Sequence, residues 1–366
     1  MIKEKCFSEE WLDSFKKQKA HRRIDKIILE KMIYALHMLE QLKVNGLDFT
    51  FKGGTSLVLL LEEGNRFSID IDIICNAEKE ELESVLSKVI ETSNFKSFEL
   101  DENRSYKPGV PKAHYVFSYD TALKTKYPGK ILLDVLIEVS IYPETIGKAI
   151  RTKWIETESE TIVTVPSIDA ITGDKLTAFA PNTIGIPYLK RGQSFTMEIC
   201  KQLFDLSKLF DQIQNMETVA RSFRTFAEQE IEYRKNENQN LTSNQVLYDT
   251  IDTCLIFAKQ GNGNADEKNK FTQLQKGIIA FGTGFLMSGN FRIDDAIVAT
   301  AKISYLASKI LKNDLTQIQY YQGEDVTQLN IENPDWNFLN RLKRQSDKSS
   351  FYYWYHTVQL LTKETE

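Results

Sequence analysis

The sequence predicts an α+β domain followed by an α-helical domain, and three observations support this. Between residues 49 and 139, short segments rich in β-branched and aromatic residues alternate with a helical pattern. After residue 166, apolar residues recur almost only at three- and four-residue steps. A chain of 366 residues is also longer than one hydrophobic core usually supports. We therefore predict two domains, residues 1–165 and residues 166–366.

The first predicted domain begins with a long helix over residues 9–44, which we expect to pack on the sheet. A second helix is predicted at residues 78–90, and the predicted strands lie at residues 49–51, 69–74, 95–100, 114–119, 131–139 and 161–165. The polar segment at residues 101–112 carries Arg104. We interpret this segment as a solvated hairpin tip, with a substrate-contacting loop as the alternative.

Helices dominate the second predicted domain. They lie at about residues 195–213, 216–235, 246–259, 270–287, 293–312, 334–345 and 349–362. Another helix begins near Pro166 and Ser167, with the serine as its cap. The one predicted strand of this half is a short segment at residues 317–321.

Composition excludes several classes of protein. With 42% hydrophobic and 27% charged residues, the chain has the composition of an ordinary globular protein. A net charge of −5 argues against a protein that coats nucleic acid nonspecifically. No apolar run is long enough to span a membrane, and no secretory signal pattern is present. The four cysteines are far apart and indicate buried thiols in a reducing compartment, so we expect a cytoplasmic protein.

Two aspartates stand in the predicted strand at residues 69–74. Aspartate is depleted in strands, and burying its charge without a partner is costly. Because the side chains at i and i+2 leave the same face of a strand, Asp70 and Asp72 place their carboxylates side by side. Mg²⁺ takes one or two protein carboxylates and completes its shell with water and substrate phosphate. The pair therefore predicts a Mg²⁺ site, with Mn²⁺ as the alternative ion.

A glycine pair precedes the aspartates and has the features of a phosphate-binding turn. The two glycines allow a sharp turn and a close approach to a ligand, and hydroxyl residues follow at the start of a predicted helix. For this motif alone, an ordinary turn with a helix cap is the alternative. The candidate phosphate-binding residues are Lys52, Gly53, Gly54, Thr55, Ser56 and Arg66.

These two motifs together resemble a known family. Gly-Gly-Thr-Ser followed by Arg-Phe-Ser-Ile-Asp-Ile-Asp is similar to the first motif of the DNA-polymerase-β-like nucleotidyltransferases. The similarity is closest to the AbiEii/AbiGii-type toxins of bacterial toxin–antitoxin and phage-defence systems, and it covers about residues 45–210. It implies a nucleotidyltransferase fold, a mixed sheet flanked by helices, followed by an α-helical domain that closes a cleft over the nucleotide.

A third acid lies in a separate apolar run. Residues 131–139 predict a central strand, and Asp134 inside it needs a reason to carry charge there. The resemblance places such an aspartate on the neighbouring strand, where it holds metal or accepts the proton of the attacking hydroxyl. The alternative is a carboxylate paired with a nearby lysine or arginine.

Two further stretches are similar to later motifs of the family. Residues 167–178 resemble the third motif, whose lysine holds nucleotide phosphate, and Lys175 fits that position. Residues 201–209 resemble the fourth motif, but Gln202 replaces its first aspartate, so only Asp205 can take the acidic role.

Helical spacing alone gives a different interpretation of Asp205. Lys201, Asp205 and Lys208 fall opposite an apolar stripe, a pattern typical of a solvated helix face.

The resemblance implies metal-dependent transfer of a nucleoside monophosphate from an NTP to an acceptor hydroxyl on tRNA or protein. The metal ligands would be Asp70, Asp72 and Asp134, and Lys175 would neutralise charge on the transferred group. The protein would be a toxin controlled by a separately encoded antitoxin. Two alternatives stay open: a kinase that transfers the γ-phosphoryl group from the same site, and an inactive binding or antitoxin protein of this fold.

Overall fold

The structure, a computed structural model, describes residues 1–17, 24–61, 66–107, 110–234, 240–286 and 289–363. The chain divides into two compact units. The first comprises Met1–Ser167 and Phe285–Gly289, and the second comprises Ile168–Gly284 and Asn290–Glu366. The division thus falls two residues later than the boundary placed after residue 165, and a short later segment belongs to the first unit. Closure of a cleft by the helical domain stays a prediction.

Eight strands in the described part of the first unit form one mixed sheet. They are β1 (Thr50–Lys52), β2 (Ile71–Cys75), β3 (Phe95–Leu100), β4 (Tyr106–Lys107), β5 (Val110–Tyr119), β6 (Gly129–Ile137), β7 (Thr145–Ala149) and β8 (Ile162–Pro166). Seven follow the order β3-β5-β6-β2-β1-β8-β7, and β4 pairs with β5. The pairs β2–β6 and β1–β8 are parallel, whereas β1–β2, β5–β6, β3–β5 and β7–β8 are antiparallel.

The helices of this unit are α1 (Glu9–Lys16), α2 (Lys26–Val44), α3 (Gly53–Leu60), α4 (Lys79–Thr92) and the short α5 (Glu102–Ser105), with a 3-10 turn at Glu4–Phe7. The long helix predicted over residues 9–44 is therefore wrong. Asp25 is extended and its carboxylate accepts a hydrogen bond from the Ile27 amide, so α2 begins with its own N-cap. The part of that prediction over residues 18–23 lies outside the described residues.

The sheet has one densely packed face. On β6, the alternate residues Ile131, Leu133 and Val135 are at most 2% exposed, and each such aliphatic side chain contributes about 1.5–3 kcal/mol by its burial. Helix α2 contacts β6 and β8, which confirms that it packs on the sheet. The intervening residues of β6 lie on the opposite face, where Leu132 and Asp134 are only half-buried. That second face can carry polar chemistry.

In its described residues, the second unit consists mainly of helices and also contains a two-stranded hairpin, β9 (Leu189–Lys190) with β10 (Gln193–Ser194). Its helices are α6 (Ile168–Ala178), α7 (Thr196–Phe210), α8 (Met216–Tyr233), α9 (Ser243–Lys259), α10 (Ala265–Gly284), α11 (Ile293–Leu311) and α12 (Ser349–Thr362), with a 3-10 helix at Asn337–Arg344. The strand predicted at residues 317–321 is wrong, because this segment pairs with no strand in the described chain.

Together these elements confirm the predicted α+β class with a helical second half. All four cysteines are buried and free of disulfides, as expected. Among the described residues, no helix combines the length and the apolar character needed to cross a membrane.

Candidate active site

The structure brings two of the three predicted metal carboxylates into one row. Strands β2 and β6 are parallel neighbours, and Asp72 pairs in register with Asp134. In-register residues on adjacent strands project from the same face, so both side chains lie on the half-buried face of the sheet. Asp70 is exposed and lies one residue before β2, because this strand begins at Ile71 rather than at residue 69.

The row extends to both sides of the aspartate pair. On β1, Lys52 is the register partner of Asp72, and its ammonium lies 5.8 Å from the ring centre of Tyr142. On β5, His114 is the register partner of Asp134. Four adjacent strands thus align two carboxylates between a lysine and a histidine.

Gly53 lies directly against Asp72. Its φ of +73° falls in the left-handed region that favours glycine, and a Cβ at this position would overlap Asp72 Oδ2. A Cβ on the next residue, Gly54, would overlap the guanidinium of Arg66. Arg66 is 8% exposed and donates from Nη1 to the Phe67 carbonyl at 3.1 Å. Because neither glycine has a Cβ, the start of α3 can lie closer to Asp72 and Arg66 than any other residue type would allow.

The two hydroxyl residues after the glycines hold the motif together. Thr55 Oγ1 lies 2.6 Å from the Asp70 carbonyl oxygen, to which it donates, and 2.8 Å from Ser68 Oγ. Ser56 donates to the Gly53 carbonyl at 2.9 Å. Both residues are completely buried. Contact of either residue with phosphate stays a prediction.

Asp134 is held at both carboxylate oxygens. His114 Nδ1 lies 2.5 Å from Oδ1, and Arg104 Nη2 lies 3.5 Å from Oδ2. The histidine side chain is 10% exposed, whereas the arginine is 46% exposed. The alternative interpretation of Asp134, a carboxylate paired with a lysine or arginine, therefore agrees with the contact to Arg104. Arg104 lies on α5 within the segment at residues 101–112, where it is exposed and also contacts Asp134.

The residues fit a divalent ion that takes few protein ligands. In the described parts of the chain, no group of three or more His, Cys, Asp or Glu side chains already forms a metal site. The possible ligands are the adjacent carboxylates of Asp72 and Asp134. Gly53 lies beside them and has no side chain that would cover Asp72 Oδ2. Mg²⁺ and Mn²⁺ suit such oxygen donors when water and phosphate oxygens complete the shell.

The second unit contains the other predicted site residues, Lys175 on α6 and Asp205 on α7. Lys175 Nζ lies 2.8 Å from Asp205 Oδ2 and 3.1 Å from Gln202 Oε1. The two charged side chains are 6% and 2% exposed, so the interpretation of Asp205 as part of a solvated face is wrong. A buried pair of this kind stabilises the packing of two helices only while both charges are present. Contact of either residue with nucleotide stays a prediction.

Sequence reasoning missed His114 as a site residue. The available signal was a histidine at a buried position of β5, a strand whose other buried positions are mostly apolar or aromatic. Its proximity to Asp134 depends on the register of β5 and β6, which pairing across the sheet determines.

Comparison with known proteins finds one matching family and several similar solved structures. The sequence model of the family described as "Nucleotidyl transferase AbiEii toxin, Type IV TA system" matches residues 38–278. JHP933 from Helicobacter pylori is similar in structure at 16% identity and a TM-score of 0.42, with 84% of this chain and 96% of that chain covered. MenT4, a nucleotidyltransferase toxin from Mycobacterium tuberculosis H37Rv, is similar at 11% identity and a TM-score of 0.44, with 82% and 98% covered. No protein with a curated description matches the chain.

Proposed function

The chain belongs to the AbiEii family of nucleotidyl transferase toxins, and from this premise we propose that it transfers a nucleoside monophosphate from an NTP to an acceptor hydroxyl. The observation that carries the proposal is the in-register pair of Asp72 and Asp134 beside the start of α3. Two carboxylates next to a tight glycine turn combine a place for a divalent cation with amides for phosphate. The acceptor class that we propose is tRNA or protein.

A bound Mg²⁺ or Mn²⁺ would neutralise charge on the triphosphate and polarise the reacting phosphoryl group. Asp70, Asp72 and Asp134 are the residues that would hold it. The first amides of α3, at Gly53 and Gly54, have no partner within the helix by their position and would bind phosphate oxygens. Lys52 and Arg66 add positive charge next to the same turn.

In the proposed reaction, the acceptor oxygen forms a bond to the α-phosphorus, and the bond from that phosphorus to the bridging oxygen of the β-phosphate breaks. Pyrophosphate leaves, and the proton of the acceptor hydroxyl passes to a base. Asp134 suits either the metal or the base role, because its carboxylate shares the row with Asp72. We propose that Lys175, with Asp205 next to it, neutralises charge on the nucleotide phosphates.

The family is one of type IV toxin–antitoxin systems, which implies a cognate antitoxin. We propose that this antitoxin is a separately encoded protein and that the toxin acts in phage defence. Four free, buried thiols suit a reducing compartment, and we propose the cytoplasm.

The experiment is a screen with α-labelled NTPs. The protein is incubated with Mg²⁺ and each labelled NTP, with total tRNA in one arm and total cell protein in the other. Wild type should label one of these fractions, whereas Asp72→Ala and wild type with chelator should not. Near wild-type labelling by Asp72→Ala would contradict the assignment of this site.

A further inference from the structure

His114 and Arg104 contact different oxygens of the same carboxylate with unequal strength. The contact of His114 Nδ1 with Asp134 Oδ1 is short, at 2.5 Å, and the histidine is almost completely buried. Arg104 Nη2 is 3.5 Å from Oδ2, at the limit of a hydrogen bond, and its side chain is nearly half exposed. The first contact is thus fixed, while the second can be exchanged for another cation.

The backbone around these residues keeps them on the same side of Asp134. Ser105 is buried, its hydroxyl accepts from the His114 amide at 2.9 Å, and it donates to the Asp101 carbonyl at 2.7 Å. The Asp101 amide in turn donates to the His114 carbonyl at 2.8 Å. Helix α5 is therefore tied to β5 next to His114, and the imidazole has little freedom to leave Asp134.

The histidine donates this hydrogen bond. An ionised carboxylate only accepts, so Nδ1 carries the proton. The other ring nitrogen, Nε2, is buried and has no hydrogen-bond partner among the residues that the structure describes. A lone pair without a partner is less costly there than an unsatisfied N–H, which favours the tautomer with its proton on Nδ1.

We propose that His114 is a positioning residue for Asp134: it occupies Oδ1 and thereby presents Oδ2 as the oxygen that ligates the divalent cation next to Asp72. This inference rests on the proposed function, because it concerns the same cation site. Arg104 occupies the Oδ2 side as an exchangeable counter-ion, which the metal displaces. The two neighbours of Asp134 should therefore affect metal affinity in opposite directions.

The test measures Mn²⁺ binding to the full chain, first without NTP and then with it, by calorimetry and by the electron paramagnetic resonance signal of free Mn²⁺. His114→Leu removes the donor and should weaken Mn²⁺ binding by about 10–100-fold, the usual effect of losing a residue that orients a metal ligand. In His114→Asn, the amide nitrogen takes the place of Nδ1, so binding should stay within about threefold of wild type. Arg104→Gln should bind Mn²⁺ at least as tightly as wild type.

His37 offers a matched control, because it is a second buried histidine of the same unit and stacks on Phe95 from α2. His37→Leu should leave Mn²⁺ affinity unchanged. His114→Gln, whose amide extends past the Nδ1 position, should bind as weakly as His114→Leu and replaces it if that variant does not fold.

The outcomes separate this inference from the proposed function. Wild-type affinity in His114→Leu or His114→Gln, with wild type binding Mn²⁺, would overturn the positioning role alone. No Mn²⁺ binding by wild type, with or without NTP, would overturn the proposed metal-dependent function and this inference with it.

Discussion

Asp72 and Asp134 are register partners on adjacent parallel strands, and both project from the half-buried face of the sheet. Like charges placed opposite one another destabilise a sheet. A divalent cation between them would remove that repulsion, and His114 and Arg104 already moderate it at Asp134. This pair therefore places like charges side by side at an energetic cost that a bound cation would offset.

Removing one charge of the pair should separate activity from stability. Asp72→Asn keeps the shape of the side chain and removes like-charge repulsion, so we expect the free energy of unfolding to change by less than about 1 kcal/mol. Nucleotidyl transfer should fall about 10³-fold, because a lost metal ligand removes several kcal/mol of stabilisation. Urea unfolding and initial rates measure the two effects. Asp48→Asn, on an exposed carboxylate of the same unit, is the control and should keep full activity.

The glycine turn can be tested with a pair of alanine variants. Gly53→Ala should lower the free energy of unfolding by about 1–2 kcal/mol, because alanine is strained at a φ of +73°. Its Cβ would also displace the carboxylate of Asp72. Gly46 has a φ of +92°, and no described atom lies within 4 Å of the point that a Cβ would occupy, so Gly46→Ala carries the backbone cost alone. We expect both variants to be less stable, but only Gly53→Ala to lose Mn²⁺ binding and transfer. Equal metal binding by the two variants would contradict a site beside Gly53.

The ion pair between Lys175 and Asp205 predicts a strong effect on stability. Lys175→Met leaves Asp205 buried without its counter-ion and should lower the free energy of unfolding by about 3–5 kcal/mol. The double variant Lys175→Met/Asp205→Leu removes both charges and should recover most of that loss. Denaturant unfolding of Lys175→Met, Asp205→Leu and the double variant, each compared with wild type, measures the coupling between the two residues. Additive losses would mean that the pair does not act as a unit.

The same double variant tests the proposed nucleotide contact of Lys175. Once stability is restored, a missing charge-assisted phosphate contact of about 1.5–3 kcal/mol should still reduce kcat/KM for NTP by about 10–150-fold. Steady-state rates at several NTP concentrations measure this effect. Wild-type kinetics in the stable double variant would assign Lys175 a purely structural role.

The stability of the second unit should depend on pH through Asp249. Burial raises the pKa of this carboxyl above its ordinary value of 3.8, against hydrogen bonds from Asn182 and Thr183 that lower it. Because the folded-state pKa is raised, the contribution to stability is complete below the unfolded pKa and is lost as pH rises through the folded one. Asp249→Asn cannot ionise, so its urea midpoint relative to wild type should increase between about pH 4 and pH 7.

Asp335→Asn, on an exposed aspartate of the same unit, is the control for this measurement. The difference in urea midpoint between Asp335→Asn and wild type should stay nearly constant over the same pH range. A constant difference for Asp249→Asn as well would show that burial of this carboxyl does not affect the folding equilibrium.

Much of the sheet could be predicted because its strands carry strong local patterns. The prediction for β3 has the observed bounds, and those for β6 and β8 overlap the observed strands closely. Strand β7 was missed because Thr145–Ala149 contains a glycine and a lysine and shows little apolar alternation. The break after α1 was missed because residues 16–23 contain no proline or glycine that would mark the end of a helix. Local pattern therefore predicted the type of most elements, but not every boundary.

The parts of the candidate site that are formed by residues close together in sequence could be predicted. The parts that depend on strand pairing or helix packing could not. The spacing of Asp70 and Asp72 and the glycine turn are local signals. The contact of His114 with Asp134 requires the antiparallel register of two strands, and the contact of Lys175 with Asp205 requires two helices to pack. Spacing within one helix placed Asp205 on a solvated face, because nothing in a single helix reveals the lysine that covers it.

The most direct test of the central claim is the position of the transferred label. Wild-type protein is incubated with Mg²⁺ and an NTP labelled at the α-phosphorus or, in parallel, at the γ-phosphorus, together with the acceptor fraction found in the screen. Nucleotidyl transfer predicts that only the α-label enters the acceptor and that the γ-label leaves in pyrophosphate. In Asp72→Asn, both the labelling of the acceptor and the release of pyrophosphate should fall about 10³-fold. Entry of the γ-label into the acceptor would contradict the account and identify the protein as a kinase.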